Sequence, residues 1–160
     1  MSVIDQIVEH LTELGLKSMR ADEHTVILGF AGKQLSYQLA FRHGGPLVSV
    51  IAQGLLSVPK PMLAEGMKLA NGVNATRLRW GAFWIGPETR SLAFELGFPV
   101  EDTVRVFDVA AALGAVASAL DCFYPEFARL VWGRGSEDAR DSIAKNEDED
   151  DGSERFEISV

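Results

Sequence analysis

The sequence predicts an α+β fold: an antiparallel five-stranded sheet with helices, in the order α-β-β-β-α-β-β-α. Three observations predict it. Apolar residues recur at helical spacing at the start of the chain and again after residue 108. Between them, several stretches rich in β-branched and aromatic residues read as strands, the clearest alternating with period two. Short links bearing glycine or proline join neighbouring strand patterns, which suits hairpins better than βαβ crossovers.

The first helix is read from Ile4, Ile7, Val8, Leu11 and Leu14, with Asp5, Glu9 and Glu13 on the opposite side. Ser2 is a natural N-cap and Gly15 a natural left-handed residue past the end. Three strands follow at 25–30, 34–42 and 47–56. In the second, Leu35, Tyr37, Leu39 and Phe41 alternate with Ser36, Gln38, Ala40 and Arg42. The next helix is read over Met62–Val73, where Gly66 and Gly72 each cost about 1 kcal/mol against alanine. A hairpin over 77–85 and 91–98 turns at Gly86-Pro87-Glu88-Thr89. Its first strand is aromatic on both faces, as a central or interfacial strand would be. The last helix is expected from an Asp108 N-cap to about Tyr124, with Pro125 opening a short helix to Trp132.

The 160 residues suit one domain, and 47% hydrophobic content supports a core. The net charge of -8 is uneven: ten acidic and three basic residues lie from Ser136 on, leaving thirteen against twelve before it. The chain therefore divides into a near-neutral domain at 1–135 and an acidic C-terminal tail at 136–160. The run Glu147-Asp148-Glu149-Asp150-Asp151 predicts disorder there, since so polar a segment cannot offset its ordering entropy. With Cys122 the only cysteine, no intrachain disulfide can form. No secretory signal is visible, and the longest uncharged run, Val109–Leu120, is shorter than the roughly 20 residues a membrane span needs. A cytoplasmic protein with no membrane partner is expected.

Few residues of the sequence stand in a pattern that carries chemistry. His10, His24 and His43 stand in no metal-ligand spacing. Cys122 beside Phe123 and Tyr124 reads as a small buried hydrophobe. No phosphate loop or nucleophile elbow occurs. Aligning Gly152 with the glycine of an EF-hand loop puts Ile158 where a glutamate is required. No metal or other cofactor is expected. Arg77, Arg79, Trp80, Phe83 and Trp84 could build a stacking platform for nucleobases. The domain has no basic excess, so core or interface aromatics are the better reading and direct nucleic-acid binding is not expected.

Three stretches resemble the YbjN family of bacterial proteins. Asn71-Gly72-Val73-Asn74 looks like the family's paired asparagines. Trp80-Gly81-Ala82-Phe83-Trp84 with Leu92-Ala93-Phe94 looks like its strand-turn-strand. Leu120-Asp121-Cys122-Phe123-Tyr124-Pro125 with Leu130-Val131-Trp132-Gly133 looks like its final helix and proline step. The resemblance covers about Ser2–Gly133. It implies a fold similar to type III secretion chaperones and a non-enzymatic homodimer that binds other proteins.

The expected function is therefore a homodimeric protein-binding module, chaperone-like or regulatory. Met62, Gly66, Met67, Leu69, Trp80, Phe83 and Trp84 are the candidate dimer or partner interface. Phe156, Ile158 and Val160 are candidate anchors by which the acidic tail engages a basic partner, including one that binds nucleic acid. The alternatives are a small-ligand sensor, or an enzyme whose site is assembled from scattered residues such as His24, His43 and a carboxylate.

Overall fold

The structure is a computed structural model that describes the backbone from Met1 to Glu147 and the side chains to Gly133. The elements run α1 (Val3–Glu13), β1 (Ser18–Asp22), β2 (Thr25–Ala31), β3 (Ser36–Gly44), β4 (Leu47–Ser57), α2 (Leu63–Thr76), β5 (Ala82–Ile85), β6 (Ser91–Pro99) and α3 (Val106–Glu147). A single 3-10 turn at Lys60–Met62 leads into α2.

Helix α1 forms as its sequence dictates. The Ser2 hydroxyl accepts from the Asp5 amide, and the Asp5 carboxylate accepts from the Ser2 amide at 3.0 Å, a complete capping box. At the other end Leu16 N–H donates to the Leu11 carbonyl and Gly15 N–H to that of Thr12, with Gly15 at φ 74°. That is a Schellman ending, which favours glycine at the left-handed position. Val3, Ile4, Ile7 and Leu11 are buried.

The sheet has six strands, not the five expected, in the order β1-β2-β3-β4-β6-β5 with every adjacent pair antiparallel. The additional strand is β1. It lies on the sheet edge, four of its five residues are exposed, and it has no alternating apolar face to reveal it. One face of the sheet forms the core. Leu28, Leu39, Ala52, Phe94 and Phe83 stand opposite one another across five strands, and Val26, Phe41, Val50 and Leu96 form the adjacent row. All are buried. Helices α1 and α3 cover this face, α3 through Val109, Val116, Leu120, Phe123 and Phe127.

Two hydrogen-bonding side chains of α1 hold the segment that leads into α3. Gln6 donates to the Asp102 carbonyl at 3.1 Å and accepts from the Val104 amide at 2.8 Å, while His10 Nε2 lies 2.8 Å from the Val104 carbonyl. An Arg20–Asp5 ion pair ties β1 to the same helix.

Three expectations about the second half need correction. The strand expected over 77–85 is only β5, because Gly81 adopts φ 75° and turns the chain between Trp80 and Ala82. Asp108 does not cap α3. It lies in the first turn, where both its oxygens accept from Arg105 at 2.8 and 2.7 Å. Pro125 does not end the helix. The bond it forfeits, about 3 kcal/mol, is offset by Phe123, Tyr124 and Phe127 anchoring the helix on both sides. Val106–Gly133 is long and apolar enough by composition to cross a membrane, and a third of its most apolar window (33%) is buried in this fold. The helix continues to Glu147, so the acidic tail expected from residue 136 begins on helical backbone, and residues 148–160 lie outside the described residues.

Two predictions follow from these constraints. A Cβ at Gly81 would sit 2.6 Å from the Glu95 carbonyl oxygen in a left-handed conformation. Gly81→Ala should lose at least about 2 kcal/mol by urea denaturation, whereas Gly29→Ala, with open space and ordinary φ, should change stability by less than about 1 kcal/mol. For His10, burial lowers the pKa, but the Val104 carbonyl and the Glu13 and Glu9 carboxylates together outweigh it and hold the imidazole above its usual value. A raised folded pKa stabilises the protein most below the ordinary pKa of about 6.5 and loses that contribution as pH rises through the folded value. Denaturation midpoints measured from pH 5.5 to 8.5 should fall by a component absent in His10→Gln.

Candidate functional site

Helix α2 reaches its place because β6, the later strand, lies between β4 and β5. The link from β4 must therefore pass β6 and descend on the far edge, where α2 packs against β5. Gly66 makes that approach possible. A Cβ there would meet the Ile85 Cδ1 at 2.9 Å and the Val58 Cγ1 at 3.4 Å. At the C-terminal end of α2, Asn74 satisfies the outer backbone of β5. Its Nδ2 donates to the Phe83 carbonyl at 2.7 Å and its Oδ1 accepts from the Phe83 amide at 2.8 Å. One side chain thus takes the position that another strand would occupy, and the edge is closed at that residue.

Beneath this clamp Phe83 is 1% exposed, with its ring centroid 4.8 Å from Phe94, 6.1 Å from Phe123 and 5.1 Å from Phe127. One step beyond, Arg77 ends α2 and bridges to α3. Its guanidinium meets both Glu126 oxygens at 2.9 and 2.7 Å and lies 4.8 Å above the Phe123 ring. Such a bidentate pair is geometrically specific, and its half-exposed setting keeps its energy modest.

The two helices meet at that bridge. They leave a groove of about 1170 Å³ between one face of α2 (Leu69, Gly72, Val73 and Thr76) and one face of α3 (Cys122, Pro125, Arg129 and Leu130). Leu69, Val73 and Leu130 supply apolar floor, while Lys68 and Arg129 stand one on each wall. The shape and mixed chemistry suit an extended or helical peptide.

The structure redistributes the expected interface residues. Phe83 and Gly66 are corrected: both are used inside the chain, as core and as a close helix–strand contact. Met62, Met67 and Leu69 are half-buried. Trp80 is 74% exposed and Trp84 41%. Trp80 and Phe107, itself 70% exposed, flank an apolar notch of about 370 Å³ floored by Gly81, Leu96 and Ala112. Phe156, Ile158 and Val160 lie outside the described residues. Cys122 is not buried as expected but exposed in the groove, because Phe123 and Phe127 take the sheet-facing side of α3.

The scattered-site alternative gains a juxtaposition. His43 N–H donates to the His24 carbonyl at 2.9 Å, so the two residues meet at one end of the sheet beside Asp22 and Glu23. His24 Nε2 is 3.2 Å from a Glu23 oxygen. Among the described residues no group of three or more His, Cys, Asp or Glu side chains is placed to hold a metal ion. The Tyr37 hydroxyl is buried with no hydrogen-bond partner among the described residues, and burial, with Asp121 nearby, pushes its pKa up to about 12.

The fold is a small α+β module built on one six-stranded antiparallel sheet. The profile of the YbjN family, described as "Putative bacterial sensory transduction regulator", matches residues 4–129, and the chain belongs to this family. Among solved structures it is similar to the Escherichia coli YbjN crystal structure, titled "a putative transcription regulator". The TM-score is 0.56 at 11% identity over 77% of this chain and 92% of that one. At that identity the likeness establishes the shared fold. No curated protein matches the chain.

Asn74→Ala should cost about 2 kcal/mol, because it orphans the amide and carbonyl of Phe83 together. It should also promote concentration-dependent association through the opened β5 edge. Urea denaturation and sedimentation velocity read the two effects.

Proposed function

We propose that this protein is a non-enzymatic regulatory module that acts by binding another protein in the groove between α2 and α3. The observation that carries the reading is the groove itself: two helix faces hold an apolar floor open to solvent, with cations on both rims. A chaperone-like role fits the same surface. In this reading the module is a homodimer, and Trp80 and Trp84, the exposed members of the expected interface, contribute to the contact between copies. The protein it binds presents an apolar and acidic segment, and nucleic-acid-binding proteins are candidates where such a segment flanks their basic surface.

A small-ligand sensor is the second reading, and the apolar notch between Trp80 and Phe107 favours it. A cavity of this size is at the lower end of those that hold small molecules. A ligand there would shift Trp80 fluorescence.

Light scattering on the full chain should give twice the 17.4 kDa chain mass at micromolar concentration, and Trp80→Ala with Trp84→Ala should shift it toward one. A monomer at all concentrations contradicts the dimer. Leu69→Glu with Leu130→Glu should remove at least tenfold of the affinity for a captured partner while leaving the mass unchanged. Retained affinity rejects the groove as the docking surface.

A further inference from the structure

We propose that residues 148–160 dock into the α2–α3 groove of their own chain, so that the partner surface is occupied by an internal competitor. The inference rests on the groove being the docking surface, and it adds what fills that surface when no partner is present.

Charge points to this occupant. The groove presents Lys68, Arg77 and Arg129 against Glu65 and Glu126. Arg77 and Glu126 neutralise each other. Lys68 and Arg129 have no ion-pair partner among the described residues, and they stand on opposite walls. Residues 148–160 hold six carboxylates and one arginine. Attraction between such groups reaches about 10 Å at ordinary ionic strength and fades with added salt.

The apolar pattern fits the floor. Phe156, Ile158 and Val160 alternate with Glu157 and Ser159. Period-two spacing puts all three on one side of an extended segment. That side faces Leu69, Val73 and Leu130, while Glu154 and Glu157 come beside the rim cations.

Reach permits it. Gly133 lines the open end of the groove, and α3 runs on to Glu147. Fourteen helical residues advance about 21 Å. Nine extended residues, 148 to 156, cover about 30 Å, enough to return that distance and cross a helix width of about 10 Å. Phe156 then lies level with Gly133, and the next four residues enter the groove by about 13 Å. A tethered segment acts at a millimolar effective concentration, so even weak contacts keep it bound. A partner must displace it, which makes the segment a threshold on partner binding.

A Leu130→Cys substitution in a Cys122→Ser background puts a single thiol on the groove floor, within the stretch that the segment covers. In this full-length protein at low salt, iodoacetamide should alkylate that thiol several-fold more slowly than when Phe156→Ser/Ile158→Ser/Val160→Ser is added. Salt at 0.5 M should bring the two rates together. Zero-length carbodiimide coupling should join Lys68 to a carboxylate of residues 148–157 within one chain. Equal alkylation rates at low salt together with no such cross-link overturn the proposal. Protection that grows with protein concentration, or cross-links only between chains, also overturns it in favour of a second copy in the groove. None of these readouts involves a partner, so their failure leaves the groove as docking surface to be judged by the Leu69→Glu and Leu130→Glu affinity measurement.

Discussion

The structure depends on the placement of β6 between β4 and β5. This single choice of strand neighbour makes β5 an edge strand and sends α2 outside the sheet. An edge strand of four residues is a weak support for a helix. Phe83 makes it adequate by serving both sides of the junction. Its ring packs with Phe94, Phe123 and Phe127, and its peptide groups are closed by Asn74. Gly66 on one flank and the Arg77–Glu126 bridge on the other fix the tilt of α2. The groove lies between α2 and α3, with both bridge residues in its lining.

The division of labour between the helices follows. Helix α1 packs on the sheet and ties down the segment before α3 through Gln6 and His10. Helix α3 gives one side to the core and turns Cys122, Pro125 and Arg129 outward. Helix α2 is held chiefly at β5 and at its C-terminal end, and its other face lines the groove.

Much of this was legible in the sequence wherever local chemistry decides structure. Ser2, Asp5 and Gly15 marked both ends of α1, and the alternation around Tyr37 and Phe41 marked β3. Elements decided by tertiary context were not legible. The edge strand β1 has no buried alternation of its own, since only one neighbour defines it. Trp80 read as strand because aromatics favour strands, yet Gly81 at φ 75° takes it out of the sheet. Pro125 read as a stop because the burial that retains it comes from residues packed across the core. The same limit applies to the interface residues. Phe83 and Trp84 are adjacent and chemically alike, and only the register with Phe94 and Ala93 shows which of them faces inward. The paired asparagines stand out in the sequence, but only the fold gives Asn74 its role as a substitute strand.

The most direct test of this account is amide hydrogen exchange at Phe83. If Asn74 closes the edge and the aromatic cluster seals it, this edge-strand amide should exchange as slowly as the β4–β6 amides. It should become at least tenfold faster in Asn74→Ala. Rapid exchange in the unaltered protein, at the rate of an open edge, would show that α2 is not fastened to β5 and would contradict the fixed groove on which the functional reading stands.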